Sequence, residues 1–172
     1  MKKLLLIALA IVCIMLMNDA VRAQSTGNVT LNVQIQDIIA LTVNTNSVTF
    51  NLNSTSSYTA DQVQTVTGQF SVLSTQPFDL DVKSNAATLT NGSNTLPLNV
   101  VKIESTNSNL GITPASAITL TNANQKLLNE ANAGLAQSVD MKYTLLTNTN
   151  FSSFGVPAGT YTTTLVYTAS ID

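Results

Sequence analysis

The chain contains no histidine, and beyond Asp19 its acids are scattered: Asp37, Asp61, Asp79, Asp81, Glu104, Glu130, Asp140 and Asp172. Without histidine, the usual general base near neutral pH and the commonest transition-metal ligand are both missing. A serine nucleophile would have to draw on lysine or a carboxylate, and no serine stands in a Gly-x-Ser-x-Gly turn. Asp79 and Asp81 lie two apart, so on a strand they share a face, where they could act as a carboxylate pair or hold a cation. Glycosidase pairs flank a bond across a cleft, however, and calcium needs a denser loop of oxygen ligands than any stretch here offers. The pair therefore reads as a solvated outer face, with Lys83 next in line to offset its charge. No residue is assigned a catalytic, cofactor-binding or metal-binding role, and the expectation is a protein that is not an enzyme. A metal-free hydrolase would need a base and nucleophile that no constellation here supplies.

Two further motifs carry less. Asn-x-Ser/Thr triplets start at Asn28, Asn53, Asn91 and Asn150, but in a chain this rich in those residues they arise by chance. Phe151 and Phe154 lie in an Asn-rich approach to the last turn, placed either to cap the core or to offer an exposed contact to a sugar or partner.

The elements that would position any site come after a leader. Met1-Lys2-Lys3 is a basic start, Leu4 to Met17 is an unbroken apolar run of 14 residues, and Val21-Arg22-Ala23 has the spacing a signal peptidase reads. Residues 1–23 are thus expected to be a cleaved signal peptide, the mature chain starting at Gln24. The run is too short for the roughly 20 residues of a spanning helix, so no stable membrane anchor is expected. Cys13, the only cysteine, leaves with the leader, so the remainder can form no disulfide. Lys83, Lys102, Lys126 and Lys142 are then the only cations, too few to neutralise nucleic acid or an anionic membrane. Thr, Asn and Ser make up about two-fifths of residues 24–172, which suits strands, turns and a wettable, adhesive surface.

Alternation dominates those residues. Apolar side chains take every second position at Val29–Ile35, Ile39–Val43, Val48–Leu52, Phe78–Val82, Val139–Leu145 and Tyr161–Ile171, the period of half-buried strands. Val66, Phe70 and Val72 line another strand, in which Gly68 marks a bulge or a close approach, and Leu98 to Ile103 is a mixed apolar stretch. Leu127, Leu128, Ala131 and Leu135 suggest one short helix or an irregular crossing within 124–137. The fold class expected is all-β: a single antiparallel, immunoglobulin-like sandwich of about seven to nine strands spanning 24–172.

The end of the chain carries the most specific pattern. Gly159 is followed by Tyr161, Thr163, Leu165, Tyr167, Ala169 and Ile171 at every second position, in the phrase Gly159-Thr160-Tyr161. The start, Gly27-Asn28-Val29-Thr30-Leu31-Asn32-Val33, opens with an alternating segment. Both ends resemble chaperone–usher pilins and spore coat U-type subunits. That resemblance implies a domain lacking one strand, lent first by a periplasmic chaperone and then by the next subunit's N-terminal segment, which is β-augmentation. It makes Val29, Leu31, Val33 and Ile35, within a donor segment 28–36, one side of the assembly contact. Gly159, Tyr161, Leu165, Tyr167, Ala169 and Ile171 form the other side, a C-terminal edge strand. The chain departs from the family in having Ile171 as its penultimate residue, where an aromatic is common, and in lacking a disulfide. Only Gln24 to Asn28 precedes the first alternating segment, so two arrangements stay open. Either Val29–Ile35 is integral to the sheet, or it is donated and the domain's own first strand is Ile39–Val43. The function expected is an exported structural or adhesive subunit of a bacterial surface appendage or coat. Its partners would be copies of itself or sister subunits, and the alternative is a self-contained secreted module binding a carbohydrate, cell-wall or protein partner.

Overall fold

Phe78, Leu80 and Val82 are almost wholly buried, and β-branched and aromatic residues recur at the same two-residue spacing along most of the chain. The computed structural model describes residues 24–106, 110–111 and 116–171, and the leader read at 1–23 lies outside them. The chain divides into two units, 1–35 and 36–172. In the first, residues 24–35 form neither helix nor strand. The second is an antiparallel β structure with one short helix.

Its five-stranded sheet runs in the order β1 (Ile39–Val43), β2 (Gln62–Ser74), β9 (Gly134–Leu145), β6 (Val101–Ser105) and β7 (Ile118–Thr119). A three-stranded sheet has the order β10 (Leu165–Ser170), β3 (Phe78–Ser84) and β8 (Gln125–Ala131). The hairpin β4 (Thr88–Asn91) and β5 (Asn94–Pro97) stands apart, with a four-residue helix α1 at Ser56–Thr59. Residues of both larger sheets join one core, from Phe70, Val72, Val139 and Met141 on one side to Leu80, Val82, Leu127 and Leu128 on the other.

Three expectations change. The stretch 124–137 holds no helix: β8 runs along the three-stranded sheet to Ala131, and the chain then crosses to β9 of the five-stranded sheet at Gly134. Leu127, Leu128 and Ala131 mimic a helical face because β8 is irregular, its register against β3 slipping between Phe78 and Leu80 and again between Leu80 and Asp81. An extra residue in a strand brings neighbours to the same face, so Leu127 and Leu128 are both buried. Within that irregularity Glu130 takes a left-handed conformation, φ 55°.

The second change is at Asp79. It is only 5% exposed, not solvated, and its partner is Lys126, not Lys83. The third concerns Val48–Leu52, which belongs to no strand although Val48, Phe50 and Leu52 still pack against the core. The bulge expected at Gly68 is present: φ is +60°, and the β2–β9 register shifts between Val66 and Phe70. The Asp140 carboxylate accepts the Gly68 N–H, tying the bulge to β9.

Candidate functional site

The two larger sheets meet along one flank without closing. β1 is hydrogen-bonded only to β2 and β10 only to β3, so each is the edge of its own sheet. The two edges approach each other but form no ladder. β1 follows β2 from Ile39 opposite Ser74 to Val43 opposite Phe70, just where the Gly68 bulge begins. There the Asn44 side chain donates to the Gly68 carbonyl (2.9 Å) and the Asn44 N–H to the Gln69 carbonyl (2.8 Å). Thr45 still bonds to Gln69, and beyond this clamp residues 46–53 enter no strand. Bulges bend a strand and end its pairing, and this one stands where the edge opens.

Both sides of the seam present an apolar row covered on one flank only. On one side are Ile39 and Leu41 of β1; on the other are Leu165, Tyr167 and Ala169 of β10. Every one of these is half-buried, whereas Phe78, Leu80 and Val82 on β3, the strand next to β10, are at most 1% exposed. The two strands have the same alternating chemistry. β3 has neighbours on both sides and β10 has one, whereas β8, the other edge of this sheet, still buries Leu127, Leu128 and Ala131.

Of the predicted C-terminal residues, Leu165, Tyr167 and Ala169 lie on β10, while Gly159, Tyr161 and Ile171 lie outside any strand. Leu165, Tyr167 and Ala169 stand opposite Ser84, Val82 and Leu80. Tyr167 is the anchor of the row. Its ring tilts against Phe70 with centroids 4.5 Å apart, and its hydroxyl lies 2.6 Å from that of Tyr143. Tyr143 donates its single hydroxyl proton to Gln69 Oε1 (2.8 Å), so Tyr167 is the donor to Tyr143. Burial raises both phenols above the ordinary tyrosine range, and the adjoining Tyr143 oxygen pushes Tyr167 further. Tyr161 donates to the Pro157 carbonyl (2.8 Å), and Thr162 forms a bridge to Thr90. Gly159 lies so close to β4 that a Cβ there would come within 1.9 Å of the Asn91 side-chain nitrogen.

The predicted N-terminal row is placed differently. Val29, Leu31, Val33 and Ile35 are 94, 85, 73 and 83% exposed, in a segment that belongs to no strand. The domain's first strand is Ile39–Val43. Among the described residues no group of three or more acidic or cysteine side chains is placed to hold a metal ion.

A second cluster was only half visible in the sequence. Phe151 and Phe154, on a 3-10 turn, both meet Tyr58 of α1 edge-on, with centroids 6.0 and 6.1 Å apart. Phe154 packs against the core, but Phe151 is 61% exposed. Nothing near Tyr58 in sequence announces this contact. The loop before Phe151 is pinned by Asp61, whose carboxylate accepts the Asn148 N–H (2.9 Å), the Thr149 N–H (2.9 Å) and the Thr149 hydroxyl (2.6 Å). Burial alone would raise the Asp61 carboxyl, but these bonds and the Lys102 charge together hold it below the ordinary range. No protein-family model matches the chain, and no curated protein matches its sequence.

Proposed function

We propose that this chain is a non-enzymatic, exported structural or adhesive subunit of a bacterial surface appendage or coat, joined to its neighbours by β-strand addition. In this reading the domain is an immunoglobulin-like sandwich left open along the β1–β10 seam. The segment 28–36 of one copy, or of a sister subunit, is the strand that fills the seam of the next. The observation that supports it is a matched pair of deficits: an edge whose apolar rows are covered on one flank only, and an apolar row with no strand of its own.

Magnitudes favour a real contact. Burying Val29, Leu31, Val33 and Ile35 would contribute roughly 1.5–3 kcal/mol each, on the order of 6–12 kcal/mol together. Association costs about 4–15 kcal/mol in lost freedom, so side chains alone come close to breaking even. Backbone bonds along two open edges, and fuller burial of the rows they flank, supply the surplus. The same open edge would invite indiscriminate pairing before assembly, which gives a periplasmic chaperone its place.

The test is assembly itself. Deleting residues 24–36, or substituting Leu31→Glu, is expected to abolish polymers seen by light scattering and negative-stain microscopy. The monomer's melting temperature should stay within about 2 °C of wild type, since substitutions at exposed positions usually cost under ~0.5 kcal/mol. A wild-type chain that stays monomeric at high concentration, with or without a sister subunit, or a deletion that unfolds the domain, would overturn the reading.

A further inference from the structure

The aromatic cluster at Tyr58 and Phe151 is separate from the seam and has its own chemistry. Thr55, Tyr58, Thr59, Asn148 and Phe151 line a shallow concavity of about 580 Å³. It lies at the Gln62–Leu145 end of the β2–β9 ladder, whereas β1 begins at the opposite end, facing Ser74. A strand entering the seam beside Ile39 would therefore be remote from it.

The lining combines two aromatic rings with an amide, two threonine hydroxyls and the Tyr58 phenol, and carries no charge. Phe151 exposes most of its ring, and its T-shaped contact with Tyr58 leaves the two planes at 86°, forming a corner rather than a stack. The scaffold is rigid on both sides. Asp61 holds Asn148 and Thr149, Thr147 donates to the Ala60 carbonyl (2.8 Å), and the Tyr58 N–H donates to the Thr55 carbonyl (3.0 Å). Asp61, the carboxylate nearest this loop, is occupied by its three donors and presents no strong anion to a ligand.

We infer that this concavity is a binding site for a neutral saccharide. A pyranose ring presents an apolar C–H face and a rim of hydroxyls. The C–H face fits against Phe151 and the Tyr58 edge, while the Asn148 amide and the threonine hydroxyls meet the rim. A charged ligand would find no counter-charge here, and a protein partner would need far more area than this concavity offers, about 800 Å² per side for a stable contact. Binding sites of this type are mostly apolar, with a few fixed polar groups that set orientation. An exposed, uncharged site on a rigid loop also suits the adhesive side of the proposed role, but it does not depend on assembly.

The experiment is saturation-transfer NMR on the purified protein with maltopentaose, cellopentaose, chitopentaose and mannopentaose, each at millimolar concentration. Transfer to the ring protons of at least one of them is expected, with an affinity that Phe151→Ala weakens at least tenfold and Asn148→Ala several-fold. Phe151→Tyr should retain it. Melting curves should show Phe151→Ala folded like wild type, which separates lost binding from lost structure. Absence of transfer from all four sugars, or transfer that Phe151→Ala and Asn148→Ala leave unchanged, would overturn the assignment. Assembly of the Phe151→Ala variant should be normal, so failure here leaves the seam untouched.

Discussion

Asp79 lies between Phe78 and Leu80 on β3, and alternation turns it away from the core those two residues fill. It is nonetheless buried, held by Lys126 and Glu130 of the neighbouring strand β8. Its carboxylate accepts the Glu130 N–H (2.8 Å) and pairs with the Lys126 ammonium, which also donates to Asn129 Oδ1 (3.1 Å). The first bond holds the one described non-glycine residue with positive φ, a conformation that costs L-residues roughly 1–2 kcal/mol. Burial would raise the Asp79 carboxyl, but the Lys126 and Glu130 hydrogen bonds and the Lys126 charge outweigh it and lower it. Asp79→Ala should therefore cost about 1.5–3 kcal/mol in urea unfolding, the range for a bond to a charged group. Asp79→Asn should cost less, because its amide oxygen can still accept the Glu130 N–H. A depressed carboxylate contributes stability above its unfolded pKa of about 3.9, and loses it as pH falls through the lower native value. Wild type should thus lose stability below about pH 4 more steeply than Asp79→Asn, as read from urea midpoints across that range.

Among the elements, β2 decides where the seam opens. Its Gly68 bulge coincides with the end of β1 pairing, and three groups converge on it: the Asn44 amide, the Asp140 carboxylate and the left-handed backbone of Gly68 itself. A side chain at φ +60° is strained whatever the space, so Gly68→Ala should destabilise the domain by about 1–2 kcal/mol in thermal or urea unfolding. An added Cβ would meet the Ser138 hydroxyl only at 3.4 Å, so the loss should arise from the backbone. Ser138→Gly in the same chain should then fail to rescue it, and rescue would place the cost in packing.

For the whole molecule, the proposed strand addition makes stability depend on what occupies the β1–β10 seam. A ligand that binds only the folded state adds about 2.7 kcal/mol at a hundred times its Kd. A synthetic peptide of residues 28–36 added to the chain lacking 24–36 should therefore raise its melting temperature in a concentration-dependent way. A scrambled peptide of the same composition should not, because only the alternating order puts Val29, Leu31, Val33 and Ile35 on one face. Equal stabilisation by both peptides would mean unspecific adhesion to the edge, not strand addition.

Much was legible in the sequence because alternation is local. A two-residue period marks the inner face of a strand where a partner is present, which placed Phe78, Leu80 and Val82 in the core and Leu165, Tyr167 and Ala169 on one face of β10. The same period offered Ile39–Val43 as one of two possible first strands, and that is where β1 stands. It misled at Leu127 and Leu128, where an irregular strand imitates a helical face, and at Val48–Leu52, where the period is present and the partner strand is absent. Pairing is the long-range part. Which edges remain open, that Asp79 meets Lys126, and that Tyr58 meets Phe151 all depend on residues far apart along the chain, brought together by the ladder order and its bulges. Side-chain type at each position limits which face a residue can occupy, but only the packing of both sheets around one core decides what lies beyond that face and which strands are left as edges.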